Sequence, residues 1–171
     1  MGNELKPKRY YQDIYSINYD LLLEEDIKYL LVDLDNTIAD SRYKYPSEEA
    51  INLFNELHEK GFQTIIFTNA LPHRAIRFAT ALDSEVYYLA GKPRRHIYLK
   101  LLATKGIEPE MVAAIGDQIY TDIKGANRLN IFSILVDRIS KYESILSKPN
   151  RIKEKYLVYK KGIIRKGEYY E

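Results

Sequence analysis

At 171 residues, with 46% hydrophobic and 29% charged residues, the chain has the make-up of one soluble globular domain, 1–171, large enough to bury a substantial core. A net charge of +2 is too small to draw nucleic acid by bulk electrostatics. The absence of cysteine excludes disulfides, a thiolate nucleophile and Cys-ligated metal, which fits a cytoplasmic chain.

Residues 1–26 read as a polar, aromatic lead-in, with Glu24-Glu25-Asp26 on a helix surface. Lys6 occupies the place where a myristoylation signal starting at Met1-Gly2 needs Ser or Thr, and apolar runs such as Leu21–Leu23 are too short to span a bilayer. Lys28–Asp33 is short, apolar and β-prone, which predicts a buried strand. Pro46-Ser47-Glu48-Glu49 predicts a helix start with Ser47 as N-cap, Ile51, Phe54 and Leu57 as the apolar stripe and Gly61 as the stop. A strand over Phe62–Phe67 ends in Thr68-Asn69, a helix over about 72–82 opens on Pro72, and a strand follows at Glu85–Leu89. The loop Ala90-Gly91-Lys92-Pro93 opens a helix that runs to Gly106. The strand Val112–Ile115 ends in Gly116-Asp117, a helical segment covers 118–129, and Ile131–Val136 is the last strand. Five short apolar strands alternating with helices predict a mainly parallel sheet in an α/β/α sandwich.

In such sheets ligands lie beyond the carboxyl ends of the strands. There the sequence places Asp33, Asp35 and Thr37, then Thr68 and Asn69, then Lys92, then Asp117 and Asp122. An apolar strand running straight into two aspartates either ends in a capped turn or meets something cationic, because an unpaired ionised carboxylate is costly to desolvate. Oxygen ligands of this kind suit Mg²⁺, which favours sites that also hold phosphate, and a lysine offsets phosphoryl charge. These are the parts that phosphoryl transfer requires: a nucleophile, a metal, a charge clamp and a proton shuttle.

"DLDNT" at 33–37, "FTN" at 67–69, "GKP" at 91–93 and "GDQIYTD" at 116–122 resemble the four ordered motifs of the haloacid-dehalogenase-like (HAD) phosphatases. Each is weak alone; their order and placement over about 28–136 make the signal. The "GDQ…TD…GANR" pattern of residues 116–128 is most similar to the class IIIA, YqeG-like bacterial branch. The resemblance implies a Rossmann-like HAD fold and a Mg²⁺-dependent phosphomonoesterase. It implies Asp33 as the nucleophile that forms an aspartyl-phosphate and Asp35 as general acid and base. Thr68, Asn69 and Lys92 would bind the phosphoryl group, with Thr68 and Lys92 also catalytic. Asp33, Asp117 and the backbone carbonyl of Asp35 would hold the metal, and Asp122 would orient Lys92 or a metal-bound water. An acid two residues after the nucleophile argues for phosphate esters over carbon–halogen bonds.

About ten residues separate Asp35 from the next helix and 22 separate Asn69 from Lys92, so neither gap houses a cap domain. Uncapped relatives accept bulky substrates, and the YqeG-like branch has relatives acting on phosphatidylglycerophosphate, which makes a lipid headgroup phosphate a candidate substrate. The segment of about 148–171 is basic: Lys148, Arg151, Lys153, Lys155, Lys160, Lys161, Arg165 and Lys166 stand against Glu154, with Tyr156 and Tyr159 between. Such a segment could rest on an anionic leaflet, or form a solvated face.

Other readings compete at single positions. Asp33 and Asp35 could cap a turn, and Asp122 could be a helix N-cap. His73 and Arg74 are candidate substrate contacts. Arg94 and Arg95 are solvated arginines or a leaving-group site, and His58 and His96 are helix-surface residues. A receiver-like phosphoacceptor and a small-metabolite or nucleotide phosphatase are the alternative functions, with a silent scaffold on the same fold a further one. The sequence carries no signal for oligomeric state.

Overall fold

The computed structural model describes residues 3–141, 154, 162 and 164–171. Six strands form one sheet: β1 Arg9–Tyr11, β2 Tyr29–Val32, β3 Gln63–Phe67, β4 Glu85–Tyr87, β5 Val112–Gly116 and β6 Phe132–Val136. Their order is β1-β6-β5-β2-β3-β4, and every pairing in the sheet is parallel. The expected five strands are β2 to β6. The sixth, β1, lies in the lead-in, where Arg9-Tyr10-Tyr11 is too short and polar to stand out and owes its strand state to pairing with Ile134–Val136.

Helices α1 Tyr19–Glu24, α2 Glu48–Glu59, α3 Pro72–Ala81, α4 Arg95–Lys105 and the short α5 Lys124–Asn127 cover the sheet. Strand side chains alternate between faces. Leu30, Val32, Ile66 and Ile115 pack with Phe54, Leu57, Phe78 and Leu22, whereas Leu31, Ile65, Phe67 and Ala114 pack with Tyr98, Leu101 and Ala126. The first group puts α1, α2 and α3 on one face; the second puts α4 and α5 on the other.

Local chemistry sets the helix ends. The Ser47 hydroxyl accepts the Ala50 N–H at 3.1 Å, a cap worth about 1 kcal/mol, and Pro72 opens α3 where its missing N–H costs nothing. α4 stops at Gly106, whose φ of +63° is the left-handed conformation a helix C-terminus favours. The helical segment expected near 118–129 is a π-helical turn, Ile119–Ile123, running into α5.

No cap domain interrupts the described residues. Those from 70 to 91 carry α3 and β4, and those from 36 to 47 make a turn and a short loop. The chain crosses from β2 outward to β3 and β4, then returns to β5 on the other side of β2. The crevice between the carboxyl ends of β2 and β5 is therefore the topological switch point, where this architecture places its ligands.

Candidate active site

Asp33 follows β2 directly, and its N–H continues the parallel ladder to the Ile115 carbonyl at 2.9 Å. That register sets the Asp33 side chain on the α4 face, two residues beyond Leu31. Asp117 follows the last residue of β5 in the same way. Asp122 comes from the π-helical turn, whose extra residue per turn brings its carboxyl back over Gly116. A Cβ at Gly116 would meet Asp122 Cγ at 2.3 Å, so only glycine leaves room for that approach. Carboxylate oxygens of Asp33, Asp117 and Asp122 lie within 4.8 Å of one another, and all three residues are buried.

Lys92 enters this cluster from the loop before α4. Its Nζ donates to Asp33 Oδ1 at 2.6 Å and to Asp122 Oδ1 at 2.5 Å, and lies 5.9 Å from the centre of the Phe67 ring. The other Asp122 oxygen accepts the Gln118 N–H at 3.1 Å and the Thr121 hydroxyl at 3.3 Å. Asp122 thus serves Lys92 and the turn together, and it is not an N-cap. Burial disfavours the Lys92 ammonium, but Asp122 and Asp33 more than compensate and hold it charged well above the usual lysine range. Burial pushes the Asp33 carboxyl up to about 7, with Asp122 adding to the rise and Lys92 opposing it. Among the described residues, three carboxyl groups and one ammonium meet in this cluster.

That donor set is a test of metal fit. Three buried carboxylates with oxygens within 4.8 Å are a hard, anionic donor set of the kind that takes Mg²⁺ or another oxygen-seeking divalent cation. The residues present fit such an ion.

Around the cluster the motif residues do different work. Asn36 takes φ of +64° and donates its N–H to Ala39 at 2.8 Å, closing the turn that follows Asp35. The Asp35 Oδ1 accepts Nε–H of Arg74 at 2.9 Å. Thr68 is buried and its Oγ1 accepts the Ala70 N–H at 3.1 Å, which leaves the hydroxyl proton for an acceptor in the cavity. Asn69 spends its side chain on the loop: Oδ1 accepts the Lys92 N–H at 2.9 Å and Nδ2 donates to the Lys92 carbonyl at 3.4 Å. These bonds hold the backbone of Lys92 in place.

A cavity of about 320 Å³ opens here, lined by Asp33, Asp35, Thr68, Asn69 and Lys92 among others. His73 and Arg74 line it too, as do Ser41, Gln118 and Thr121, which the sequence alone did not single out as site residues. Arg94 and Arg95 are exposed at the start of α4 and are not among its lining residues. His58, expected on a helix surface, is half-buried and bonds Thr64 Oγ1 at 2.7 Å, and His96 is exposed. Thr37 is buried in the turn.

The family model of the haloacid dehalogenase-like hydrolases matches residues 4–130. The chain belongs to that family. Among curated proteins, HAD-like similarity extends to one named "Probable phosphatase YqeG" from Bacillus subtilis (strain 168), 27% identical over 161 residues, which span 94% of this chain and 92% of the relative. Among solved structures, 3-deoxy-D-manno-octulosonate 8-phosphate phosphatase from Yersinia pestis superposes with a TM-score of 0.52 at 21% identity, covering 76% of this chain and 72% of that one. A HAD-like family hydrolase from Porphyromonas gingivalis gives 0.51 at 14% identity, covering 75% and 98%. At these identities the two structures share the HAD fold.

Proposed function

We propose that this HAD hydrolase is a Mg²⁺-dependent phosphatase that cleaves phosphomonoesters through an aspartyl-phosphate on Asp33. The observation that carries the proposal is the convergence of the Asp33, Asp117 and Asp122 carboxylates, with Lys92 Nζ bonded to two of them, at the sheet's switch point. Asp33 and Asp117 would hold the ion, together with the Asp35 backbone carbonyl. When bound, it supplies charge neutralisation for the phosphoryl oxygens and for the crowded carboxylates.

The chain's own groups divide the remaining work. Asp33 attacks phosphorus from a fixed position at the strand end, and Asp35 gives a proton to the leaving oxygen and later takes one from water. Lys92 offsets the negative charge on the transferring group, and the Thr68 hydroxyl donates to one of its oxygens. Asn69 keeps Lys92 in place. The loop and α3 around the cavity carry no cap, and its mouth exposes Leu71 and Leu89, each 56% exposed. That open, apolar rim favours a bulky ester with an apolar portion, of which a lipid headgroup phosphate is one example.

Membrane contact through the basic segment rests on residues that mostly lie outside the described ones: Lys148, Arg151, Lys153, Lys155, Tyr156, Tyr159, Lys160 and Lys161. Arg165 and Lys166 are exposed, and no helix among the described residues is long and apolar enough to cross a membrane.

A phosphate-ester panel with Mg²⁺ and with excess chelator tests the proposal. The expected outcome is hydrolysis that needs Mg²⁺ and falls by more than about a thousandfold in Asp33→Asn with the fold intact, as removal of a nucleophile does. Undiminished turnover in that variant, or indifference to the chelator, would remove the mechanism.

A further inference from the structure

We propose that Arg74 is the positioning residue of Asp35, fixing which of its two carboxyl oxygens carries the catalytic proton. The inference rests on the reading of Asp35 as proton carrier. Arg74 belongs to the first turn of α3, and every nitrogen of its guanidinium is engaged. Nε–H donates to Asp35 Oδ1 at 2.9 Å, Nη2 donates to the Asp40 carbonyl at 3.1 Å, and Nη1 donates to the Tyr43 carbonyl. Its Cζ lies 4.7 Å from the centre of the buried Phe78 ring, and the side chain is 13% exposed.

A solvated arginine has none of these partners. Arg74 commits one N–H of each guanidinium nitrogen, three of its five, to the protein, which fixes the plane of the fork beside Asp35. The loop to which it is tied is itself anchored. Asp40 is buried, and its carboxylate accepts the Arg42 N–H at 2.9 Å, Nε–H at 2.9 Å and Nη2–H at 2.6 Å. The planar fork of Arg74 therefore meets Asp35 from a fixed direction.

The contact is made by one N–H on one oxygen. A carboxylate accepts it at Oδ1, and so does a carboxylic acid whose proton is on Oδ2, so the bond survives both protonation states. Oδ2 is then the working oxygen in each half-reaction. In the first, the Oδ2–H bond breaks and the proton goes to the ester oxygen as its bond to phosphorus breaks and the Asp33–phosphorus bond forms. In the second, water oxygen bonds to phosphorus, the Asp33–phosphorus bond breaks, and a water proton returns to Oδ2.

Loss of this support should therefore cost most where the leaving group needs the proton. Arg74→Ala, Arg74→Lys and Asp33→Asn in the full chain with Mg²⁺ are compared on 4-nitrophenyl phosphate and phenyl phosphate, which differ chiefly in leaving-group basicity. With Arg74→Ala the expected fall in kcat/KM, which reads the leaving-group step and not the hydrolysis of the Asp33 phosphate common to both esters, is about 10- to 100-fold on phenyl phosphate and under about threefold on 4-nitrophenyl phosphate, a share of the roughly 10²–10⁴ that acid–base catalysis supplies. Arg74→Lys should recover part of the loss because an ammonium can still donate to Oδ1. Equal falls in kcat/KM on both esters, a raised KM at unchanged kcat, or a loss that tracks a lowered melting temperature in both Arg74 variants would overturn the proposal. Turnover by Asp33→Asn would instead strike the nucleophile assignment and leave the Arg74 comparison readable on its own.

Discussion

Burial raises the Asp33 carboxyl to about 7, Lys92 pulls it down and Asp122 pushes it up, so its charge is contested by its neighbours until a cation arrives. The sign of the consequence follows from linkage. A carboxyl whose folded value lies above its ordinary value of 3.8 favours the native state at low pH, and that contribution fades as pH rises through about 7. Lys92, held charged far above the same window, does not titrate in it. A divalent ion needs the ionised form, so its binding strengthens over the range where the metal-free protein weakens. Thermal denaturation should therefore show a larger Mg²⁺-induced rise at about pH 8 than at about pH 5, with some 2–4 °C for each kcal/mol gained in a chain of this size. An equal rise at both would mean that the ion does not bind at Asp33.

These residues were legible in the sequence because each follows an apolar strand and carries a side chain with no business in a core. Asp33, Asp35, Thr68, Lys92 and Asp117 stand out for that reason. Arg74 and Asn69 do not reveal their work so readily. Both are candidate substrate contacts that line the cavity, and their bonds to the protein beside it were not readable, because the sequence shows that a polar group is near a site and not which way it donates. Asp122 left two readings open, and the carboxyl of a residue inside a π-helical turn is placed by tertiary packing that no local pattern encodes.

At the scale of elements, the site depends on a few close approaches. The π-helical turn can bring Asp122 over β5 only because Gly116 has no side chain. Gly116→Ala should push Asp122 away from Lys92 and lower activity by about tenfold or more, the scale on which small misplacements act, while the sheet persists. A variant with full activity would show that Asp122 is dispensable to Lys92. Helix limits were readable where their chemistry is local, as at Ser47, Pro72 and Gly106. The strand β1 was not, since it forms through long-range pairing, and of Glu24-Glu25-Asp26, read as a helix surface, only Glu24 lies within α1. The sheet edge at β1 is covered by the chain's end: Tyr10 and Tyr170 exchange backbone bonds at 2.9 Å, and Tyr10 and Tyr169 both donate to Asp137. Part of the tyrosine excess is thereby spent on shielding an edge that would otherwise expose unpaired backbone.

Across the whole molecule, groups from both sides of the switch point must act as one centre. The sheet order brings β2 and β5 together, the loop before α4 delivers Lys92 from one face, and α3 delivers Arg74 from the other. The fold class and strand-end placement were open to a reader of the sequence because periodicity and punctuation repeat five times. The sixth strand and the cavity's wall required coordinates, because both are made by residues distant in sequence. On the proposed mechanism, an Asp33 carboxylate oxygen is the nucleophile of this assembled centre. Acid quench during turnover with Mg²⁺, followed by borohydride reduction and peptide mass spectrometry, tests it most directly. The account predicts that position 33 is converted from aspartate to homoserine, in wild-type protein only when substrate is present. Unreduced Asp33 under turnover, or reduction at another carboxylate, would contradict it.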